Sequence, residues 1–163
     1  MSQEAATVLP RAEQRADVRI VPVADILARE DLLYEHWQEI ARNKDVMVLN
    51  PLGERYDVME RAGVLLCLAA FVDGVMVGYS ATVVAPHLHY GSLLYGSNDV
   101  LFVKAEHRRG SLGLRLIRDT ERHAAQRGAR LMLWHAKHGS ALDVMLGRLK
   151  QYAVQDIIYS RAL

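Results

Sequence analysis

A mixed α/β fold, with a mostly antiparallel central sheet and helices packed on it, is what this sequence predicts, and three observations carry the prediction. Two apolar runs, residues 64–72 and 75–84, are separated by Asp73-Gly74, a dipeptide suited to the left-handed conformations of a tight hairpin turn. Residues 98–117, NDVLFVKAEHRRGSLGLRLI, pass from a short apolar run into a basic, glycine-containing turn and then into helical spacing. After that helix a further apolar run, residues 130–135, is reached by a strand-helix-strand crossover, which sets it parallel to the strand before the helix.

The elements follow in order. Residues 1–16 mix Ala, Gln, Glu and Arg without a sustained apolar stripe and read as a loose N-terminal segment, leaving residues 17–163 as a single domain. Residues 17–23 alternate as a first strand, with Pro22 marking an edge position. Asp25 caps an amphipathic helix over residues 26–42, on which His36 and Trp37 read as packing residues. Residues 43–51 interrupt the helical spacing as a strap, and a second helix over 52–62 ends at Gly63. The hairpin comes next, then a turn at residues 86–91, then a return strand over 92–103, so that strands two to four form a meander. The helix beginning at Ser111 or Leu112 carries Leu112, Leu116, Ile117, Thr120 and Ala124 on one face and ends at Gly128. A strand over 130–135, a helix from Ser140 to about Arg148 and a last strand over 152–159 complete the chain.

With 163 residues, 51% of them hydrophobic, the chain can bury one ordinary core. A formal net charge of +1 argues against binding nucleic acid through bulk charge. The single cysteine, Cys67, lies in an apolar run, so it reads as a buried thiol without a disulfide partner, and a cytoplasmic location is expected. No apolar run approaches the roughly 20 residues of a membrane span, and no membrane partner is expected. His87 and His89 form an H-x-H, and His135 and His138 lie further on, but no second-ligand motif accompanies them and no metal is expected.

The chemistry is concentrated at residues 108–113. Backbone that approaches a ligand closely, flanked by Arg108 and Arg109 and followed by the free N–H groups of a helix N-terminus, binds phosphate oxygens. The competing reading is a plain helix start with two solvated arginines. Neither G-x-x-x-x-G-K-[ST] nor G-x-G-x-x-G is present.

The wording of the loop, R-x-x-[GS]-x-G after an apolar strand, with Arg108, Ser111 and Gly113 in those positions, resembles the acetyl-CoA loop of the GNAT superfamily of N-acetyltransferases. Ser111 stands where the family usually has its first glycine. Two further segments, residues 72–79 (VDGVMVGY) and Arg127-Gly128-Ala129, are similar to family turns in the same order, and NDVLFV followed by HRRGSLGLRLIR looks most like members encoded by bacteriophages and bacteria. The resemblance implies helices on both faces of the sheet, strands four and five parallel and splayed apart, and acetyl-CoA as cosubstrate. It also implies that backbone near Leu101 and Val103 holds the pantetheine arm, while Arg108, Arg109, Gly110, Ser111, Leu112, Gly113 and Leu114 hold the pyrophosphate.

By the same resemblance the acyl group passes directly to an amine acceptor, on a small molecule or on a protein lysine or N-terminus. Asp99 stands close to the family's carboxylate base, although a gap-free alignment puts Asn98 there, and a slip of one residue changes faces. His87, His89 and Asn98 are implied to line the acceptor pocket. The family's thiol-protonating tyrosine has no counterpart over residues 144–147, and Tyr152 comes too late. A catalytically silent CoA-binding or interaction module is therefore the alternative, and a homodimer is left open.

Overall fold

The computed structural model describes residues 15–162, so most of the N-terminal segment assigned to residues 1–16 lies outside the described residues. Five strands form one sheet in the order β1-β2-β3-β4-β5. These are β1 (Ala16–Ile20), β2 (Leu65–Val72), β3 (Val75–Pro86), β4 (Leu94–Val103) and β5 (Leu131–Leu133). All neighbours are antiparallel except β4 and β5, which are parallel, as the crossover between them requires. The hairpin between β2 and β3 turns at Asp73 and Gly74, whose φ values of 50° and 82° are both left-handed.

The two faces of the sheet are covered by different helices. On one face α1 (Val23–Leu27), α2 (Glu30–Ile40) and α3 (Gly53–Arg61) bury Val23, Ile26 and Leu32 against Cys67, Tyr79 and Phe102. On the other, α4 (Leu112–Gln126) buries Leu112, Leu116 and Ala124 against Leu66, Leu68 and Val103. Odd and even positions of β2 and β4 thus serve opposite cores, the expected result of a period-two side-chain pattern in a sheet covered on both sides.

Three expectations are corrected. The first strand ends at Ile20 instead of residue 23, because Pro22 (φ −59°) stands just before Val23, where α1 begins. The single helix over 26–42 is two, α1 and α2, separated where Arg29 adopts φ −94°, ψ 63°. That break is fixed from outside the helix: the Arg29 guanidinium donates to both oxygens of Asp31 and to the Met76 carbonyl, each at 2.8 Å. The strand expected over 152–159 does not form, and residues 153–162 have no regular structure. Val154, Ile157 and Tyr159 are exposed, since an apolar alternating segment becomes a strand only where a sheet edge pairs with it. A fifth helix, α5 (Ala141–Leu146), follows Ser140, whose hydroxyl accepts from the Asp143 N–H at 3.3 Å.

Candidate active site

At the end of β4 the chain makes one 3₁₀ turn, Ala105–His107, and then the loop that leads into α4. The first N–H after the loop to find a backbone partner is that of Arg115, bonded to the Ser111 carbonyl at 2.8 Å. The six preceding N–H groups, Arg109 through Leu114, have no partner among the described residues. They open a 15-residue helix, so unpaired donors and the positive end of the helix dipole coincide. Ser111 takes φ −85°, ψ −4°, a right-handed conformation that admits a Cβ, so its departure from glycine costs the backbone nothing. Gly110 and Gly113 do not have positive φ, and a Cβ on either meets nothing within 4 Å. The chain's own packing therefore does not require glycine at these positions, and the open space beside the loop is what a phosphate-bearing ligand needs for close approach.

Arg108 is turned inward. Its Nε donates to the Val103 carbonyl at 2.6 Å, its two terminal nitrogens grip Glu39 at 2.7 and 2.6 Å, and its guanidinium lies 5.3 Å from the Phe102 ring centre. It ties the loop to β4 and α2. Arg109 is exposed beside the free N–H groups.

Strand β5 pairs with β4 only from Tyr95 to Ser97, opposite Leu131 to Leu133. At the next residue the buried Asn98 side chain takes over: its amide oxygen accepts from the His135 N–H and its nitrogen donates to the His135 carbonyl at 3.4 Å. The amide thus acts as the last rung of the ladder. Among the described residues the edge of β4 beyond it has no strand partner. The Lys104 N–H pairs with Val77 on β3 at 2.9 Å, so by strand alternation the backbone groups of Leu101 and Val103 face away from β3 into the gap. The Val103 carbonyl, taken by Arg108, shows that direction directly.

Asp99 is the extra residue of a β-bulge. On β3, Ala81 and Thr82 are consecutive, but their partners on β4 are Val100 and Asn98. The skipped Asp99 has no partner, and the strand's alternation is reset by one, so Asp99 and Val100 both reach the face covered by α1 to α3. There Asp99 lines a cavity of about 490 Å³ with Tyr56, Tyr79, Trp37 and Lys137. The Tyr56 hydroxyl, from α3, donates to Asp99 Oδ2. Burial, and then the Asp99 carboxylate, raise the Tyr56 hydroxyl's pKa, so it stays a donor. Behind them the Tyr79 hydroxyl lies 2.7 Å from His36 Nδ1. Burial pushes His36 down to about 4, which leaves it neutral and able to accept that hydrogen bond. A neighbouring hollow of about 700 Å³ shares Leu27, Leu33, Leu49 and Pro51 with this cavity. Two acids line it, Glu30 and Asp31, of which Asp31 is hydrogen-bonded by Arg29 and held at about 2.

The other residues singled out in the sequence lie elsewhere. His87 Nδ1 accepts from the backbone N–H groups of His89 and Tyr90 at 3.1 Å, and its ring packs on Tyr90 and Tyr95. It organises the turn between β3 and β4. His87, His89 and Asn98 do not line the cavity around Asp99. Tyr152 donates to Glu121 at 2.8 Å and is pushed up to about 12 by burial and then by that carboxylate. Cys67 is buried and its thiol is pushed up to about 12 by burial, which makes it unreactive. Among the described residues no three His, Cys, Asp or Glu side chains are grouped to hold a metal ion. The strap from Asn43 to Tyr56, expected to surround the amine side, supplies Met47 to Pro51 and Tyr56 to this cavity, whereas Lys137 was not legible as a site residue because it lies in a loop brought to Asp99 only by folding.

Solved structures with the same fold include a ribosomal-protein-alanine N-acetyltransferase from Brucella melitensis (20% identity, TM-score 0.67, covering 91% of this chain and 99% of that one). The aminoglycoside N-acetyltransferase AAC(6')-Iy in complex with CoA has 17% identity and a TM-score of 0.66, covering 95% and 99%. A glucosamine-6-phosphate N-acetyltransferase from Arabidopsis thaliana has 11% identity and a TM-score of 0.63, covering 89% and 98%. No curated protein matches the chain in sequence. The sequence does match the acetyltransferase (GNAT) family over residues 30–142, more than half of the chain, a span that includes the loop, the strand gap and Asp99; the protein belongs to that family.

Proposed function

We propose that this protein is an acetyl-CoA-dependent N-acetyltransferase in which the N–H groups of residues 109–114 hold the pyrophosphate, the open edge of β4 at Leu101 and Val103 holds the pantetheine arm, and Asp99 is the general base. The observation that carries the reading is the meeting of three features: six unpartnered N–H donors, a parallel strand pair that stops pairing at Ser97, and a carboxylate put into a cavity by a bulge. Acetyl-CoA bound there supplies an acyl group activated as a thioester and a thiol leaving group. An N–H at the open strand edge donates to the carbonyl oxygen as negative charge develops on it. Asp99 accepts the proton of the attacking amine while the new C–N bond forms and the C–S bond breaks. Tyr56 holds the carboxylate toward the cavity. With no tyrosine over residues 144–147, the departing thiolate takes its proton from solvent.

Asp99→Asn is expected to lower turnover at least about tenfold with acetyl-CoA affinity unchanged, since base removal acts on the transition state and not on cofactor binding. Thiol release across a panel of amines measures the first quantity and calorimetric titration the second. Normal turnover by the variant would remove Asp99 from the mechanism. Binding of CoA by the wild-type protein without turnover of any amine, peptide or protein extract would favour the silent CoA-binding module instead.

A further inference from the structure

The cavity beside Asp99 is chemically one-sided. Its walls are supplied by side chains such as Met47, Val48, Leu49 and Val100, together with the ring of Trp37. Most polar groups in it already have partners: Tyr56 donates to Asp99, Tyr79 and His36 share a hydrogen bond, and Trp37 Nε1 donates to the Met47 carbonyl at 2.6 Å. Among the described residues this leaves the Asp99 carboxylate, the Asn50 amide and the Lys137 ammonium, which has no ion-pair partner. One acidic and one basic side chain thus line a mostly apolar space of about 490 Å³.

Resting on the acetyltransferase reading above, we infer that the acceptor is a monoamine carried on an apolar body, of the arylalkylamine kind, and not a polyamine or an aminoglycoside. A single ammonium is drawn to Asp99 as it enters, and an apolar body fills a wall that offers it dispersion contact and removal from water. Within this cavity a second ammonium has no second carboxylate to meet; the acids Glu30 and Asp31 line the neighbouring hollow. The second ammonium shares the cavity with the Lys137 ammonium, whose charge repels it. An aminoglycoside carries several ammonium groups and meets the same charge.

Calorimetric titration of the CoA-saturated protein tests this, with 2-phenylethylamine, spermidine and an aminoglycoside as probes. 2-Phenylethylamine is expected to bind at least about tenfold more tightly than either polycation, the equivalent of about 1.4 kcal/mol. Lys137→Glu, on an exposed residue outside the strands and helices, is expected to raise spermidine affinity about fivefold and to narrow its gap to 2-phenylethylamine. Equal or tighter binding of spermidine or the aminoglycoside to the wild-type protein, or no binding of 2-phenylethylamine, overturns the inference and leaves the acetyltransferase reading in place. Displacement of 2-phenylethylamine by octanoyl-CoA but not by acetyl-CoA gives the cavity to the acyl chain and also overturns it. Failure of CoA itself to bind the folded protein overturns both.

Discussion

Asp99 owes its place in the cavity to a single unpaired residue in β4, and nothing in the local sequence distinguishes it from Asn98 for that role. Both are short, polar and adjacent; the bulge opposite Ala81 and Thr82 sends Asn98 to bridge toward β5 and Asp99 toward α3. His36 shows the same dependence on surroundings. Its helical spacing marks it as a packing residue, which it is, but its contact with the Tyr79 hydroxyl and its 4.8 Å stacking on Phe102 come from β3 and β4. Burial lowers its folded pKa from 6.5 to about 4. An unfolded chain therefore takes up this proton first as pH falls, and the group's contribution to stability, full above about 6.5, is lost progressively down to about 4. His36→Gln, which keeps an acceptor for Tyr79, is expected to flatten the decline in Tm between pH 7 and 4.5; a decline as steep as in the wild type would show that His36 does not titrate as its burial dictates.

The loop and α4 offer backbone N–H groups, and not side chains, for the phosphate contact proposed above. Gly113→Asp brings a carboxylate to the donors of a helix N-terminus and is expected to weaken CoA binding by about tenfold or more, whereas Arg118→Ala, which removes a positive charge further along α4, changes it by less than about threefold. Equal dissociation constants for the two variants, at unchanged Tm, would move the phosphate site elsewhere. Arg108 belongs to the same element but acts differently. Because its guanidinium is spent on Glu39 and the Val103 carbonyl, Arg108→Ala is expected to destabilise the ligand-free protein by about 1–2 kcal/mol, roughly 3–6 °C of Tm. An unchanged Tm with weakened CoA binding would mean that the side chain serves phosphate after all. The sequence pattern announced the loop clearly, since strand, cationic turn and helix are local; it could not say that Arg108 faces inward, because Glu39 is 69 residues away.

Across the whole molecule, the sheet must bring β4 close enough to β3 on one side to fix the loop while leaving its other side open. Gly78 shows how close that approach is. A Cβ there lies 2.7 Å from the Phe102 carbonyl oxygen and 3.0 Å from the Val103 Cα, both backbone atoms that cannot swing away. Gly78→Val is expected to cost about 1–3 kcal/mol, read as a lower urea midpoint at unchanged slope, and to weaken CoA binding by shifting Val103. Gly91→Ala, where a Cβ meets nothing within 4 Å, serves as the control, with stability changed by less than about 0.5 kcal/mol. Equal stability of the two variants would show that β3 and β4 separate without cost.

The sequence by itself determined what depends on neighbours along the chain. Asp73-Gly74 dictated a hairpin, the stripe through Leu112, Leu116 and Ala124 dictated which face of α4 is buried, and the crossover through α4 dictated that β5 runs parallel to β4. Local geometry sufficed because turns, helical periodicity and the handedness of connections are properties of short stretches. Only the tertiary structure decided where α1 gives way to α2, since Arg29 is held by Met76 across 47 residues. It likewise decided that residues 153–162 remain without a strand partner, that pairing of β4 with β5 stops at Ser97, and that Asp99 meets Tyr56 and Lys137 in one cavity. Each of these is an outcome of register and long-range packing, where a shift of one residue reverses which side chain faces the site, and no local pattern carries that information.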